Sequence, residues 1–310
     1  MGASRAQGLD PVAILAALGV ADVTDTAAIT EGEDTAIWRV AHGGQVSALR
    51  VMRAEQADAA AREAAAIWAA HAGGIPVAAI ERAGTWEGRP AFVLEWLFGY
   101  TLASAVMARP WRAYALGRSF GQMQARIHAL AAPAPLRAEP DAWLTFIAAD
   151  EPALAAHLHA LEPRTDALLH FDYHPFNVLV GNGRAFDSQR VSIGGARVTG
   201  VLDWTNARAG DQRADMAYTA TLLNLTRSNF GMSPRREQAA RQALLRGWQR
   251  GYRTMAGPLP DLAPFYAWAG AFIIRDVAHR LGQPGSMVTP AYLARLRRWT
   301  AMWKRRAGIV

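Results

Sequence analysis

Four polar side chains crowd the segment "HFDYHPFN", residues 170–177: His170, Asp172, His174 and Asn177. The flanking Leu168-Leu169 and Val178-Leu179-Val180 read as short buried strands. A polar loop held between strands is where a scaffold carries chemistry. Two chemistries use this spacing. In the first, His170, Asp172 and His174 alternate along a strand, share a face and bind a divalent ion, which would make a metallohydrolase. In the second, the loop transfers a phosphoryl group. Asp172 then orients and deprotonates an attacking hydroxyl, Asn177 ligates Mg²⁺ on a nucleotide, and His170 fixes the loop.

The second chemistry needs another metal carboxylate at the end of a nearby strand. Val198-Thr199-Gly200-Val201-Leu202 reads as a buried strand that ends at Asp203. The first chemistry leaves Asn177 without a role and finds no later ligand set, since His128 and His279 fall in helical segments with no paired spacing. The chain has no cysteine, which excludes disulfides, thiolate metal sites and a cysteine nucleophile. Lysine occurs once, at Lys304, so 32 of the 33 basic residues are arginine and no lysine is available for catalysis before it.

The elements that must position these residues fall into two groups. Asp10 as N-cap, Pro11 at the first helical position and Gly19 as the stop describe a short amphipathic helix with Ile14, Leu15 and Leu18 on its stripe. This reading is preferred to a cleaved signal peptide, because Asp10 and Pro11 stand where a basic lead-in would be. No run is long enough to span a membrane, and a cytoplasmic protein is expected. "TAIWRVA" and "VSALRVM" flank the turn "HGGQ" as a hairpin over residues 35–53. Residues 57–74 form an alanine-rich helix that stops at Gly73-Gly74, and residues 90–97 form a buried strand. After Gly99 helices dominate: a long one over 112–130 and most of 214–307, with strand-like segments at 167–170, 177–181 and 197–203. A small β-rich lobe, a hinge near 96–100 and a larger helical lobe would place a ligand cleft between them.

"HFDYHPFN" followed by "VLDW" resembles the aminoglycoside phosphotransferase and choline kinase-like family, which shares the protein-kinase-like fold. The resemblance covers most of the chain. "VSALRVM" is similar to the strand that carries the phosphate-binding basic residue, and "REAAAIWAAHAGGIPV" to the helix that carries its acidic partner. "AFVLEWLFGYTL" is similar to the hinge strand, "ARIHAL" to the helix end beneath the catalytic loop, and "GDQRADMAY" to the segment after the metal aspartate. The resemblance implies an α+β, bilobal fold, with residues 1–97 as a nucleotide-binding lobe and 98–310 as a catalytic and substrate-binding lobe. It implies Mg²⁺ with ATP or GTP, and transfer to a hydroxyl of a small molecule such as an antibiotic or a metabolite.

Residue by residue, the resemblance implies that Asp172 is the catalytic base and that Asn177 and Asp203 are the Mg²⁺ ligands. His170 would be structural, and Asp215 would support the catalytic loop. Glu95 and Leu97 would offer backbone groups to the adenine edge. Arg50 stands where a lysine is usual, with Glu63 as its ion-pair partner. Strand parity supports the placement, because Ala48 and Arg50 share a face and would meet the nucleotide together. Two further departures are Phe171, where glycine is usual, and the phosphate-covering turn "EGED" at 31–34, which has one glycine. His174, Asp211 and Asp276 are candidate substrate contacts; His174 could instead cap the loop.

The charge bears on the substrate. Residues 1–100 carry 7 Arg against 12 acids, net −5, whereas residues 216–310 carry 15 basic residues against 3 acids, net +12. A polycationic acceptor needs several carboxylates. That last third offers Glu237, Asp261 and Asp276, to which Asp141, Asp150, Glu151 and Asp211 could add. The balance favours a neutral, weakly cationic or anionic hydroxylated acceptor. The arginine-rich C-terminal segment carries Leu293, Leu296, Thr300 and Trp303 at helical spacing, so it reads as a packed final helix and not as a nucleic-acid or membrane surface. Nothing fixes the oligomeric state. Two alternatives stand beside the phosphotransferase: a nucleotide-binding kinase homologue that has lost catalysis, and the metallohydrolase using His170, Asp172 and His174.

Overall fold

The computed structural model describes residues 8–29, 35–181, 197–225, 233–283, 286 and 288–309. The turn at 31–34 lies outside them. Helix α1 (Pro11–Ala17) starts as its sequence dictates: the Asp10 carboxylate accepts from Val12 N at 2.9 Å, and Ile14 and Leu15 are fully buried. Strands β1 (Val23–Ile29), β2 (Ala36–His42), β3 (Gln45–Val51), β4 (Ile80–Trp86) and β5 (Arg89–Glu95) form an antiparallel sheet in the order β1-β2-β3-β5-β4. The tight β2–β3 turn needs positive φ at both central residues, and Gly43 (52°) and Gly44 (78°) supply it. The two strands of this sheet that the sequence reading missed, β1 and β4, are its edges. Their burial pattern is mostly exposed, so they lack the apolar alternation that marks the inner strands.

The sheet has two unlike faces. Trp38, Val40, Leu49 and Val51 pack with Ile14 and Leu15 of α1 on one side. On the other, Phe92 and Met52 pack with Ala60 and Ala64 of helix α2 (Ala57–Ala72). Arg50 is in register with Phe92, and Ala48 with Leu94, so both face the α2 side.

Beyond β5 the chain turns helical. In order come β6 (Tyr100–Thr101), α3 (Leu102–Ala108), α4 (Ala113–His128), α5 (Ala134–Arg137), α6 (Ala142–Ala148), α7 (Pro152–Ala160), β7 (Ala167–Leu169), β8 (Val178–Val180), β9 (Val198–Val201) and β10 (Arg208–Gly210). Helices α8 (Gln212–Leu225), α9 (Pro234–Ala256), α10 (Leu262–Val277) and α11 (Pro290–Arg306) follow. β7 pairs with β10, while β6, β8 and β9 form a second small sheet. The expected α+β organisation, a β-rich part followed by a helical one, is present.

Helices α4 and α9 approach unusually closely, side by side in the same direction. A Cβ on Gly117 would lie 2.2 Å from the Leu244 carbonyl oxygen, and one on Gly121 2.0 Å from that of Trp248. Reciprocally, a Cβ on Gly247 would lie 2.1 Å from the Tyr114 oxygen, and one on Gly251 2.1 Å from that of Arg118. Four glycines, two per helix at a spacing of four, thus let backbone meet backbone. The close approach brings Trp248 and Tyr252 of α9 to Gln124 and His128 of α4, directly beneath the loop between β7 and β8.

Candidate active site

The loop between β7 and β8 is not a strand. Phe171 has φ 52°, in the left-handed region, so the alternation that would line up His170, Asp172 and His174 on one face is broken. A bulky residue there costs about 1–3 kcal/mol. Phe171 is held by its surroundings: its ring is buried against Trp268 (5.4 Å), Phe272 (6.2 Å) and Tyr218 (6.3 Å), and its N–H donates to Asp215 Oδ1 at 2.9 Å. An aromatic anchor and a carboxylate therefore hold the turn that glycine would adopt without strain.

His170 is fully buried. Its Nε2–H donates to the Leu202 carbonyl (2.9 Å) and its Nδ1 accepts from Asp172 N (3.2 Å). Both ring nitrogens are consumed by the chain, which removes His170 as a metal ligand and makes it the tie between the 170–177 loop and the residue before Asp203. Burial, against the pull of nearby Asp215 and Asp172, leaves its pKa below the usual histidine value, so it is neutral. No group of three or more His, Asp or Glu side chains fit to hold a metal occurs among the described residues.

Asp172 is half-buried, and each of its carboxylate oxygens has a partner. Asn177 Nδ2 donates to Oδ2 at 2.9 Å, and His174 Nε2 lies 3.3 Å from Oδ1. Burial pushes the carboxyl up, but the His174 hydrogen bond and charge, with His170 and Asn177, outweigh it and hold the group below its usual pKa. Asn177 Nδ2 also donates to the Asp172 carbonyl at 3.1 Å. With its amino group committed to Asp172, the Asn177 amide oxygen accepts no hydrogen bond among the described residues. Asp203, with φ 58°, is about half exposed; its Oδ1 accepts from Thr205 Oγ1 at 2.8 Å. A carboxylate and an amide oxygen are the hard donors that suit Mg²⁺.

Beneath the loop lies Asp215, fully buried at the start of α8. Its Oδ2 accepts from His128 Nε2 (2.7 Å), Gln124 Nε2 (3.2 Å) and His170 N (3.4 Å), beside the Phe171 contact on Oδ1. Gln124 in turn accepts from Trp248 Nε1 at 2.7 Å, and the Tyr252 hydroxyl lies 2.9 Å from His128 Nδ1. Burial would raise the Asp215 carboxyl; the His128 bond and charge, His170 and Gln124 keep it below the usual range.

On the sheet side, Arg50 Nη1 donates to Glu63 Oε1 at 2.5 Å, joining β3 to α2. Arg50 Nε donates to Thr35 Oγ1 (3.2 Å) and Nη2 to Thr205 Oγ1 (2.9 Å), with Asp203 Oδ1 3.8 Å from Nη2. Each terminal nitrogen keeps one N–H unused by these bonds. Burial pushes the Glu63 carboxyl above its usual pKa, against the Arg50 charge. The structure thus brings Arg50, Glu63 and Asp203 together through Thr205 and Thr35, two contacts that sequence reasoning missed because nothing local marks them. Ala48 is half-buried beside Arg50 on the same face. The Glu95 N–H is committed to the Ala79 carbonyl at 2.9 Å, so only its carbonyl remains for a ligand. Leu97 lies over β9, where a Cβ on Gly200 would come within 2.9 Å of it.

Two candidate substrate contacts fare differently. Asp211 is buried, and its carboxylate accepts from Arg213 N (2.8 Å), Arg213 Nε (3.0 Å), Arg213 Nη2 (2.8 Å) and Arg164 N (2.9 Å), which makes it the cap of α8. An aspartate just before a helical run is a cap signal, and it was legible. Asp276 is half-buried on α10; together with Asp172 it raises the pKa of the buried Tyr218 hydroxyl, after burial itself.

A sheet lobe carrying an Arg–Glu pair, followed by a helical part carrying a His-x-Asp-x₄-Asn loop and a strand-end aspartate, defines a protein of the kinase-like fold. The profile of the phosphotransferase enzyme family matches residues 25–257, and the chain belongs to that family. It is accordingly an enzyme of the small-molecule kinase class. Among solved structures, aminoglycoside phosphotransferase APH(4)-Ia is similar at 16% identity and TM-score 0.63, over 95% of this chain and 97% of that one. A thermostable mutant of APH(4)-Ia, in a ternary complex with ADP and hygromycin B, matches at 16% and 0.63, over 96% and 99%. Spectinomycin phosphotransferase APH(9)-Ia, in complex with ADP and spectinomycin, matches at 11% and 0.57, over 96% and 95%. These likenesses show the shared fold. No curated protein matches. Among the described residues, no helix is long and apolar enough to cross a membrane.

Proposed function

We propose that the chain transfers the terminal phosphoryl group of ATP or GTP, in the cytoplasm, to a hydroxyl of a neutral or weakly charged small molecule, an antibiotic or a metabolite. The observation that carries the reading is the joint geometry of Asp172, Asn177 and Asp203, tied by His170 to one another and by Thr205 to the Arg50–Glu63 pair. Residues 1–97 bind the nucleotide and residues 98–310 supply catalysis and the acceptor pocket. Ala48 leaves room for the base, and the Glu95 carbonyl and Leu97 backbone meet its edge. Arg50 grips phosphate oxygens with its free N–H groups, and Glu63 holds the guanidinium fork in place. Asn177 and Asp203 hold Mg²⁺, which neutralises phosphate charge when bound. Asp172 orients the acceptor hydroxyl and takes its proton. His170 and Asp215 keep the loop in shape.

The acceptor class follows from the state of the carboxylates. Asp150 pairs with Arg275, Glu151 with Lys304 (2.8 Å), Glu237 with Arg241 (2.8 Å) and Asp211 with Arg213 (2.8 Å). Four of the seven acids that could have read a polycation are thus neutralised by the chain itself. The alternative is a degenerate homologue, favoured only by arginine at the usual lysine position. The deciding experiment incubates the protein with Mg²⁺, ATP or GTP and a library of hydroxylated antibiotics and metabolites, and looks for a mass gain of one phosphate. Asp172→Asn should abolish transfer, a loss of about 10²–10⁴-fold, while Mg-nucleotide binding persists. Nucleotide binding with no transfer to any acceptor or to water would establish the degenerate reading.

A further inference from the structure

His174 sits in the catalytic loop beside the base and was open between two roles, touching the acceptor or capping the loop. We propose that it does neither chiefly: its Nε2–H fixes Asp172 Oδ1, so that this oxygen faces the acceptor hydroxyl in one orientation. His174 is a positioning residue, and the inference rests on the reading of Asp172 as the base.

The geometry excludes the simpler roles in turn. Asp172 Oδ2 accepts from Asn177 at 2.9 Å, the shorter of the carboxylate's two side-chain contacts, which leaves Oδ1 the less tightly held oxygen. The other side chain against that carboxylate among the described residues is His174, whose Nε2 lies 3.3 Å from Oδ1. On the opposite edge of the ring, Nδ1 accepts the Phe176 N–H at 3.2 Å. With Nδ1 accepting from Phe176, the ring's N–H belongs on Nε2, the nitrogen that lies 3.3 Å from Asp172 Oδ1. Both ring nitrogens are therefore engaged before any acceptor arrives. The ring's tilt is set from outside by Phe176, whose ring meets it edge-on at 6.0 Å. The His174 carbonyl accepts from Asn177 N at 2.9 Å, so one short turn carries the base, its clamp and a metal ligand. The pKa directions agree with the contact: Asp172 lies below its usual value, and His174 lies above its own despite burial.

An oxygen of a carboxylate has two lone pairs, so Oδ1 can accept from His174 and from an acceptor O–H together. As the acceptor oxygen bonds to the terminal phosphorus, its proton passes to Oδ1. The bond from phosphorus to the bridging oxygen breaks, and the nucleoside diphosphate leaves with the electron pair. Nothing in this step requires His174 to gain or lose a proton. Its contribution is orientation, and a misplacement of about 1 Å in a reacting group costs on the order of 10²-fold.

Water as acceptor separates the roles, because slow hydrolysis of Mg-ATP uses the base but makes no acceptor contacts. With Mg-ATP alone, His174→Ala should lower the hydrolysis rate about 10–100-fold, and His174→Gln, which keeps an N–H of similar reach, should restore most of it. The nucleotide Kd and the melting temperature report whether each variant is folded. With an acceptor found by the library screen, kcat should fall and KM stay within about two-fold. Unchanged hydrolysis with a raised KM would make His174 a substrate contact and overturn the inference, as would unchanged hydrolysis and KM. Asp172→Asn, run alongside, keeps the two readings apart. If it hydrolyses Mg-ATP normally, the base assignment itself is wrong; if it is dead while His174→Ala is normal, only the positioning role falls.

Discussion

Arg50 connects β3, α2 and the Asp203 turn through one guanidinium, a span that a lysine ammonium could not hold in a fixed plane. If it is the phosphate clamp, Arg50→Ala should reduce turnover on the order of 10²-fold or more, the size of a lost preorganised contact to developing charge. Arg50→Lys should recover only part of this, because Thr35, Thr205 and Glu63 are placed for a fork. Glu63→Ala should cost less, since it steadies the clamp without touching phosphate. Unchanged turnover in Arg50→Ala would shift the clamp to Arg53 or Arg39. Asp215 lends itself to a stability test. Its carboxylate accepts four N–H groups, whereas an asparagine there would turn an N–H against donors. Asp215→Asn should lose about 3–5 kcal/mol in urea unfolding, the cost of breaking a buried pair. Its folded pKa is depressed, so its stabilisation is present above the unfolded carboxylate value of about 3.9 and is lost as pH falls through the folded value. The variant should therefore show a shallower stability loss below about pH 4; an unchanged acid limb would assign that limb to other groups.

Among the elements, the α4–α9 contact tests how the loop is supported. Alanine is ordinarily a better helix former than glycine by about 1 kcal/mol. At Gly121 the added methyl would lie 2.0 Å from the Trp248 carbonyl and 2.8 Å from Tyr252 N, with backbone on both sides and nothing flexible to yield. Gly121→Ala should lose a net of about 1–3 kcal/mol and reduce turnover too, because it moves Trp248 and Tyr252 off Gln124 and His128. Gly117→Ala and Gly121→Ala combined should cost less than their sum, since the first methyl already parts the helices. Strict additivity in denaturant titrations would mean the helices do not move as a unit. The G-x₃-G spacing in "GRSFG" and "GWQRG" could be read from the sequence, but nothing there says that the two segments meet. The same limit divides the site. His170, Asp172, Asn177 and Asp203 were legible because loop spacing and a strand end are local. Gln124, Thr35, Thr205 and Trp248 were not, because each finds its partner only after distant segments pack. Asp211 carried a local cap signal that its charge outweighed in the sequence reading.

At the scale of the molecule, the distribution of charge decides what the cleft can accept. The net +12 of residues 216–310 is a bulk count, and an acidic pocket could hide within it. The ion pairs locate the neutralisation. Arg275 on α10 and Lys304 on α11 reach back to Asp150 and Glu151 at the start of α7, and Arg241 spends itself on Glu237 within α9. A substrate bearing several ammonium groups would have to break these pairs to use those acids. The same region instead offers ring surface: the exposed edge of Phe146 packs on Phe272 (4.5 Å), which touches Phe171 and Tyr218 behind the catalytic loop. If the acceptor meets these rings, a hydroxylated compound with an apolar face would suit them better than a polycation would. Kanamycin-like compounds should accordingly be turned over with kcat/KM at least about 10²-fold below the best neutral acceptor, a difference of roughly 2.7 kcal/mol. Salt supplies an independent reading. Exposed charge contacts are screened as ionic strength rises, so the KM of the preferred acceptor should be nearly flat from about 50 to about 300 mM NaCl, whereas polycation recognition would weaken steeply over that range. Efficient phosphorylation of kanamycin that collapses in salt and on Glu237→Gln or Asp276→Asn would show that the paired carboxylates open for a cationic substrate.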